Sequence, residues 1–153
     1  MNNRAKWSIF WALVAVCVLM LLFVFISPPA KIFNMGIFMA VGGIALVVLG
    51  GLLIFYTVKD RTRGLLRAFL ILTGASTVGI TVSVVLHNAI YGLFIYFFGS
   101  GFWDRVGLSD EPVFFILGLV VCPLAFIVGT VGSIVVAARQ HRVSETESPD
   151  RPE

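Results

Sequence analysis

Four long stretches of nearly unbroken apolar residues, at 7–26, 33–58, 65–98 and 112–138, dominate the chain and are separated by short polar segments. Each reaches the ~20 residues that an α-helix needs to cover a hydrocarbon core ~30 Å thick. The pattern predicts an all-α integral membrane protein: a four-transmembrane-helix bundle forming one domain over residues 1–138. Residues 139–153 end in "SETESPDRPE", which is polar, acidic and proline-containing with almost nothing to bury, so a disordered cytoplasmic tail is expected there. The first stretch follows Arg4 and Lys6, as the apolar run of a signal peptide would. It is about 20 residues long against the usual ~7–15, however, and lacks a small-x-small cleavage site, so it is expected to remain as the first helix.

The third stretch is too long for one upright crossing. Counted from Leu65 at ~1.5 Å per residue, the chain has risen ~33 Å by His87, so His87 and Asn88 fall near the far boundary of the hydrocarbon. The crossing therefore takes 65–87, and the following residues to Phe98 form an aromatic interfacial extension after helix 3. Prolonging the helix, lying along the interface and re-entering the membrane all fit that segment. Tyr91, Tyr96 and Trp103 favour the interface, because their rings are apolar while their polar atoms need water.

Inside the spans, small residues recur at helical spacing. Gly36, Gly43 and Gly50 lie seven apart in the second span, and Gly118, Cys122, Ala125, Gly129 and Gly132 follow a 4-3-4-3 spacing in the fourth. Such stripes let backbones approach closely, and in lipid that contact is a main source of helix association. They serve packing within one chain and assembly between chains equally well. Pro123, mid-way along the fourth span, removes a backbone donor and frees the carbonyl one turn earlier, at Leu119, which predicts a kink.

The third span is amphipathic in the membrane sense. Thr73, Ser76, Thr77, Thr81, Ser83, His87, Asn88 and Tyr91 fall within an arc of roughly 160° at ~100° per residue, while Ile71, Val78, Val82 and Val85 lie opposite. The polar arc belongs against protein or a wet cavity. His87, Asn88, Tyr91, Thr77 and Thr81 are its candidate site residues. His87 is placed to bond Tyr91 one turn on, and Asn88 to bond across to a neighbouring helix. In the "GLSDEP" loop, Ser109 is expected to cap the fourth helix, with Asp110 and Glu111 in its first turn where negative charge suits the helix dipole.

Composition agrees with the pattern: 59% of the 153 residues are hydrophobic and 12% charged, against ~45–50% and ~25% in soluble domains. Charge sets the orientation. Of the 11 Lys and Arg residues, only Lys31 and Arg105 fall on the side opposite the termini, which predicts a multi-pass protein of the plasma membrane with both termini cytoplasmic. The net charge of +3 then reads as a topology signal with attraction to anionic lipid, and "VKDRTRGLLR" carries no aromatic interleaving that would suit nucleic acid.

Several chemistries lack their residues. Cys17 and Cys122 fall near mid-membrane and form no C-x-x-C pair, so the exposed dithiol of disulfide-handling enzymes is missing. The only histidines, His87 and His141, fall on opposite sides, which excludes paired haem ligands from one chain, and ligands for a metal cluster are equally short. No Asp or Glu lies within a span, against the requirement of a proton-coupled carrier. No nucleophile has an adjacent base. No catalytic residue, metal or cofactor is assigned, and the lipid bilayer is the one expected partner, with a homo-oligomer or a larger membrane complex as further candidates. Three functions fit: a non-catalytic bundle that self-associates or serves as an accessory subunit, a small permease or channel subunit whose path is lined by the polar face of the third helix, and a membrane enzyme or lipid-binding protein using His87 and Asn88.

Overall fold

A helix satisfies every backbone donor and acceptor within its own segment, which apolar surroundings require, and the first 24 described residues contain neither Gly nor Pro to interrupt one. The computed structural model describes residues 3–26, 35–60, 62–108 and 111–146. Among them all regular structure is helical. The long helices are α1 (Asn3–Ile26), α2 (Met35–Lys59) and α3 (Gly64–Phe98). After a single-turn α4 (Phe102–Arg105), the last helix is built from α5 (Pro112–Ile116), a π-helical turn (Leu117–Val121) and α6 (Cys122–Thr146), running on without a gap. Four segments, Arg4–Phe23, Gly36–Lys59, Gly64–Phe98 and Pro112–Gln140, are long and apolar enough to cross a membrane.

The distribution of side chains inverts that of a soluble domain. Leu19, Ile37, Ile44, Phe55, Leu119 and Ile127 face outward and are exposed, while Thr57, Thr73, Ser76, Thr77, Ser83 and Ser133 are buried. Water would penalise that outer surface, and lipid does not. A core of Phe10, Leu13, Cys17, Leu46, Leu53, Leu66, Leu70 and Phe126 draws on all four long helices.

α3 is the central element, with α2 on one side and α6 on the other. The glycine positions show how closely they approach. A β-carbon at Gly43 would lie 3.2 Å from the Thr81 side chain, and one at Gly50 would lie 2.7 Å from the Gly74 carbonyl oxygen. From α6, Gly129 meets Thr73 and Gly132 meets the Phe69 ring, while Gly118 of the π turn meets Ser83. Ala125 is half-buried. Gly36, at the start of α2, is exposed.

One boundary differs from the pattern read along the sequence, and one of the three arrangements left open after His87 is the one found. The expected disordered tail begins at Arg139, yet α6 continues to Thr146, because no Gly or Pro interrupts it before Pro149; residues 147–153 lie outside those described. The segment after His87 prolongs α3 without a break to Phe98, as it contains no proline. At Pro123 the missing donor is accommodated by the π turn that precedes it, in which the Cys122 N–H reaches back to the Leu117 carbonyl.

Candidate functional site

At the end of the bundle away from the termini, α3 meets the start of the last helix. Glu111 stands immediately before α5, and Pro112 occupies the first helical position, where a missing N–H costs nothing. The Glu111 carboxylate accepts from the Val113 N–H at 2.8 Å and from the Phe114 N–H at 3.0 Å. It satisfies donors that the first turn leaves unpaired and places negative charge at the positive end of the helix dipole. The expected cap, Ser109, lies outside the described residues, as does Asp110; Glu111 itself is the N-cap.

His87 closes onto this cap. Its Nδ1 lies 3.1 Å from the Glu111 carbonyl oxygen and 3.4 Å from Oε2, with the Phe115 ring 5.6 Å away. Both oxygens are acceptors, so the contact requires the proton on Nδ1. Glu111 is buried, at 5% exposure. The pair therefore ties α3 to the first turn of the last span.

The other expected polar partners are arranged differently. Tyr91 does not bond His87; its ring stacks on Trp103 of α4, with centroids 5.8 Å apart and planes 7° from parallel. Apolar ring burial against α4 outweighs a hydrogen bond that His87 already makes elsewhere. Asn88 is exposed and its Nδ2 donates to the Val84 carbonyl of its own helix at 2.8 Å, and among the described residues it makes no bond to a neighbouring helix. Thr77 is fully buried, its hydroxyl 2.9 Å from the Gly74 carbonyl, and Thr81 lies 3.4 Å from the Gly43 carbonyl across the helix boundary. Thr73 and Ser76 return their hydroxyls to the Phe69 and Leu72 carbonyls of α3 itself. Their hydrogen bonds are thus made to carbonyls of α3 and α2, with Gly43, Gly50 and Gly129 packed against Thr81, Thr77 and Thr73.

Two groups that the sequence places by residue type alone, Lys6 as a topology charge and Trp103 as an interfacial ring with its polar atom in water, are buried. Lys6 reads there only as a topology charge, yet its side chain is buried at the opposite end of the bundle and Nζ donates to Thr62 Oγ1 at 3.1 Å, tying α1 to the α2–α3 connection. Trp103 is buried under α3, and its Nε1 has no hydrogen-bond partner among the described residues. Neither has a local sequence signature beyond its residue type.

Chemically, the described residues assemble no group of three metal ligands, and the Glu111 carboxylate is committed to backbone donors. A histidine beside a capping carboxylate is a structural clasp unless substrate or nucleophile stands within reach. Neither a protein-family model, nor a curated protein, nor a solved structure matches the chain.

Proposed function

We propose that the protein is a non-catalytic, multi-pass component of the cell membrane, with both termini cytoplasmic, that works by assembly, either with its own copies or as an accessory subunit of a larger membrane complex. The observation that carries this reading is the fate of the polar face of α3. Thr73 and Thr77 have no exposed surface, and the backbones of Gly50 and Gly129 are packed directly against them. Hydroxyls held this way specify which helices meet; they do not present a wet surface to a solute. The strong bias of Lys and Arg toward the termini supports the orientation.

Extraction with native lipids, followed by intact-mass measurement of the released particles, tests the proposal. A discrete assembly of protein subunits is the expected result. A monomer that carries a stoichiometric small molecule would favour transport or catalysis instead.

A further inference from the structure

Where the start of α1 meets the α2–α3 connection, a buried cation stands without an anion. Lys6 is 6% exposed, and its polar contact among the described residues is the Thr62 hydroxyl, to which Nζ donates at 3.1 Å. Asp60, two residues before Thr62, makes no ion pair with it. An ammonium carries three donors, so two N–H groups of Lys6 have no acceptor among the described residues. A charge taken out of water is unfavourable unless an opposite charge or several acceptors meet it. A tie between α1 and the connection requires no charge, since a neutral donor would make the Thr62 bond as well.

Thr62 holds that ammonium beside the first turn of α3. The helix begins two residues on, at Gly64; its N-cap residue Arg63 makes no side-chain cap, and its first turn contains no acidic residue. The leading N–H groups of a helix have no partner within it and lie at the positive end of its dipole. Here they stand in open space: Arg63, Gly64 and Leu65 are exposed, and a β-carbon on Gly64 would meet no atom within 4 Å. Two residues of chain reach at most ~7 Å, about the span of a tetrahedral anion with a hydrogen bond of ~2.8 Å on either side. A phosphate group offers several oxygens to an ammonium and to backbone N–H groups at once, the recognition that such a set of donors supports.

We propose that Lys6, Thr62 and the first turn of α3 form a binding site for the phosphate group of an anionic phosphoester. Lys6 Nζ and the N–H groups of the first turn are the donors, and the exposed Arg63 and Arg67 add attraction at the rim. Leu65, 67% exposed beside Gly64, sets an apolar surface next to the donors, which suits the head group of an anionic phospholipid; a soluble phosphate shares the same donors. The site goes beyond the proposed function and does not depend on whether the chain assembles.

Thermal unfolding of the full chain in a phosphate-free, uncharged detergent, with phosphatidylglycerol or inorganic phosphate added, tests the site. Phosphatidylglycerol should raise the midpoint of the native chain by several degrees. Lys6→Gln keeps a donor for Thr62 and should require roughly tenfold more lipid for the same shift, because one charge-assisted bond is lost. Lys59→Gln, which removes an exposed cation before the same connection, should leave the shift intact. Lys6→Met serves if the Gln variant does not fold, and in lipid-free detergent it should be at least as stable as the native chain, since an unpaired buried charge is gone. A shift from inorganic phosphate that depends on Lys6, with none from phosphatidylglycerol, would uphold the site and identify a soluble phosphoester as its ligand. Lower lipid-free stability of Lys6→Met together with an undiminished lipid shift would reduce Lys6 to a tie and overturn the site. So would equal lipid shifts in the native chain and Lys6→Gln, or no shift from either probe.

Discussion

Gly50 and Gly74 face one another across the α2–α3 contact so closely that a β-carbon built on either would lie 2.7 Å from the carbonyl oxygen of the other. Backbone meets backbone there, and the Thr77 hydroxyl and the Ile54 side chain crowd the same two positions. Gly50→Ala and Gly74→Ala should each cost ~1–3 kcal/mol, the usual range for overpacking. Gly51→Ala, where an added methyl meets nothing within 4 Å, should be neutral. Thermal unfolding of the purified variants in one detergent checks the contrast, and equal loss in all three would remove the assignment.

The clasp between His87 and Glu111 makes a second prediction. His87→Gln keeps a donor and should preserve folding, while His87→Leu should destabilise by ~1–3 kcal/mol because buried Glu111 acceptors lose a partner. Glu111→Ala removes the cap as well, at a further ~0.5–2 kcal/mol. The double variant His87→Leu/Glu111→Ala should cost less than the sum of the singles, since the two groups are in contact. Strict additivity in a double-mutant cycle would contradict the pairing.

The π turn makes a third. Pro123→Ala restores the missing donor and should let Leu117–Val121 relax toward ordinary α-helix. Removing that one-residue excess turns the segment before it by ~100° relative to α6, which would draw Glu111 away from His87. Faster amide exchange at Val113 and Phe114 in Pro123→Ala is the expected readout. Exchange identical to the native chain would show that the turn does not depend on proline.

Orientation gives a fourth. Cysteines introduced near Asn3, Arg63 and Ser148 should react with a membrane-impermeant reagent from the cytoplasmic face, and one near Asp104 from the opposite face. Any exchange of sides would invert the topology inferred from Lys and Arg.

The spans were legible because apolar length is read directly from the chain, and Gly43, Gly50, Gly118, Gly129 and Gly132 were legible as close-approach positions because glycine inside a membrane helix has few other uses. Gly74 was not, since no glycine lies seven residues before or after it to mark a stripe. The partner of His87 is 24 residues away and depends on Glu111 standing before a proline, a long-range pairing that helical spacing does not encode. Tyr91 was assigned by proximity along its own helix, whereas α4, a single turn too short to show periodicity, brings Trp103 back onto it. Burial of Lys6 was hidden for the same reason: charge near a span end reads as topology whether the side chain points out or in.

The central claim is that the hydroxyl face of α3 is dry packing and not a solute path. Thr77→Cys is close to isosteric and sits against Gly50 at a position with no exposed surface. In a Cys17→Ala, Cys122→Ala chain held in sealed membranes, it should resist small water-soluble thiol reagents from both faces, while a cysteine at Arg63 reacts freely. Rapid labelling of Thr77→Cys in the folded, correctly inserted protein would place water along α3 and contradict the account.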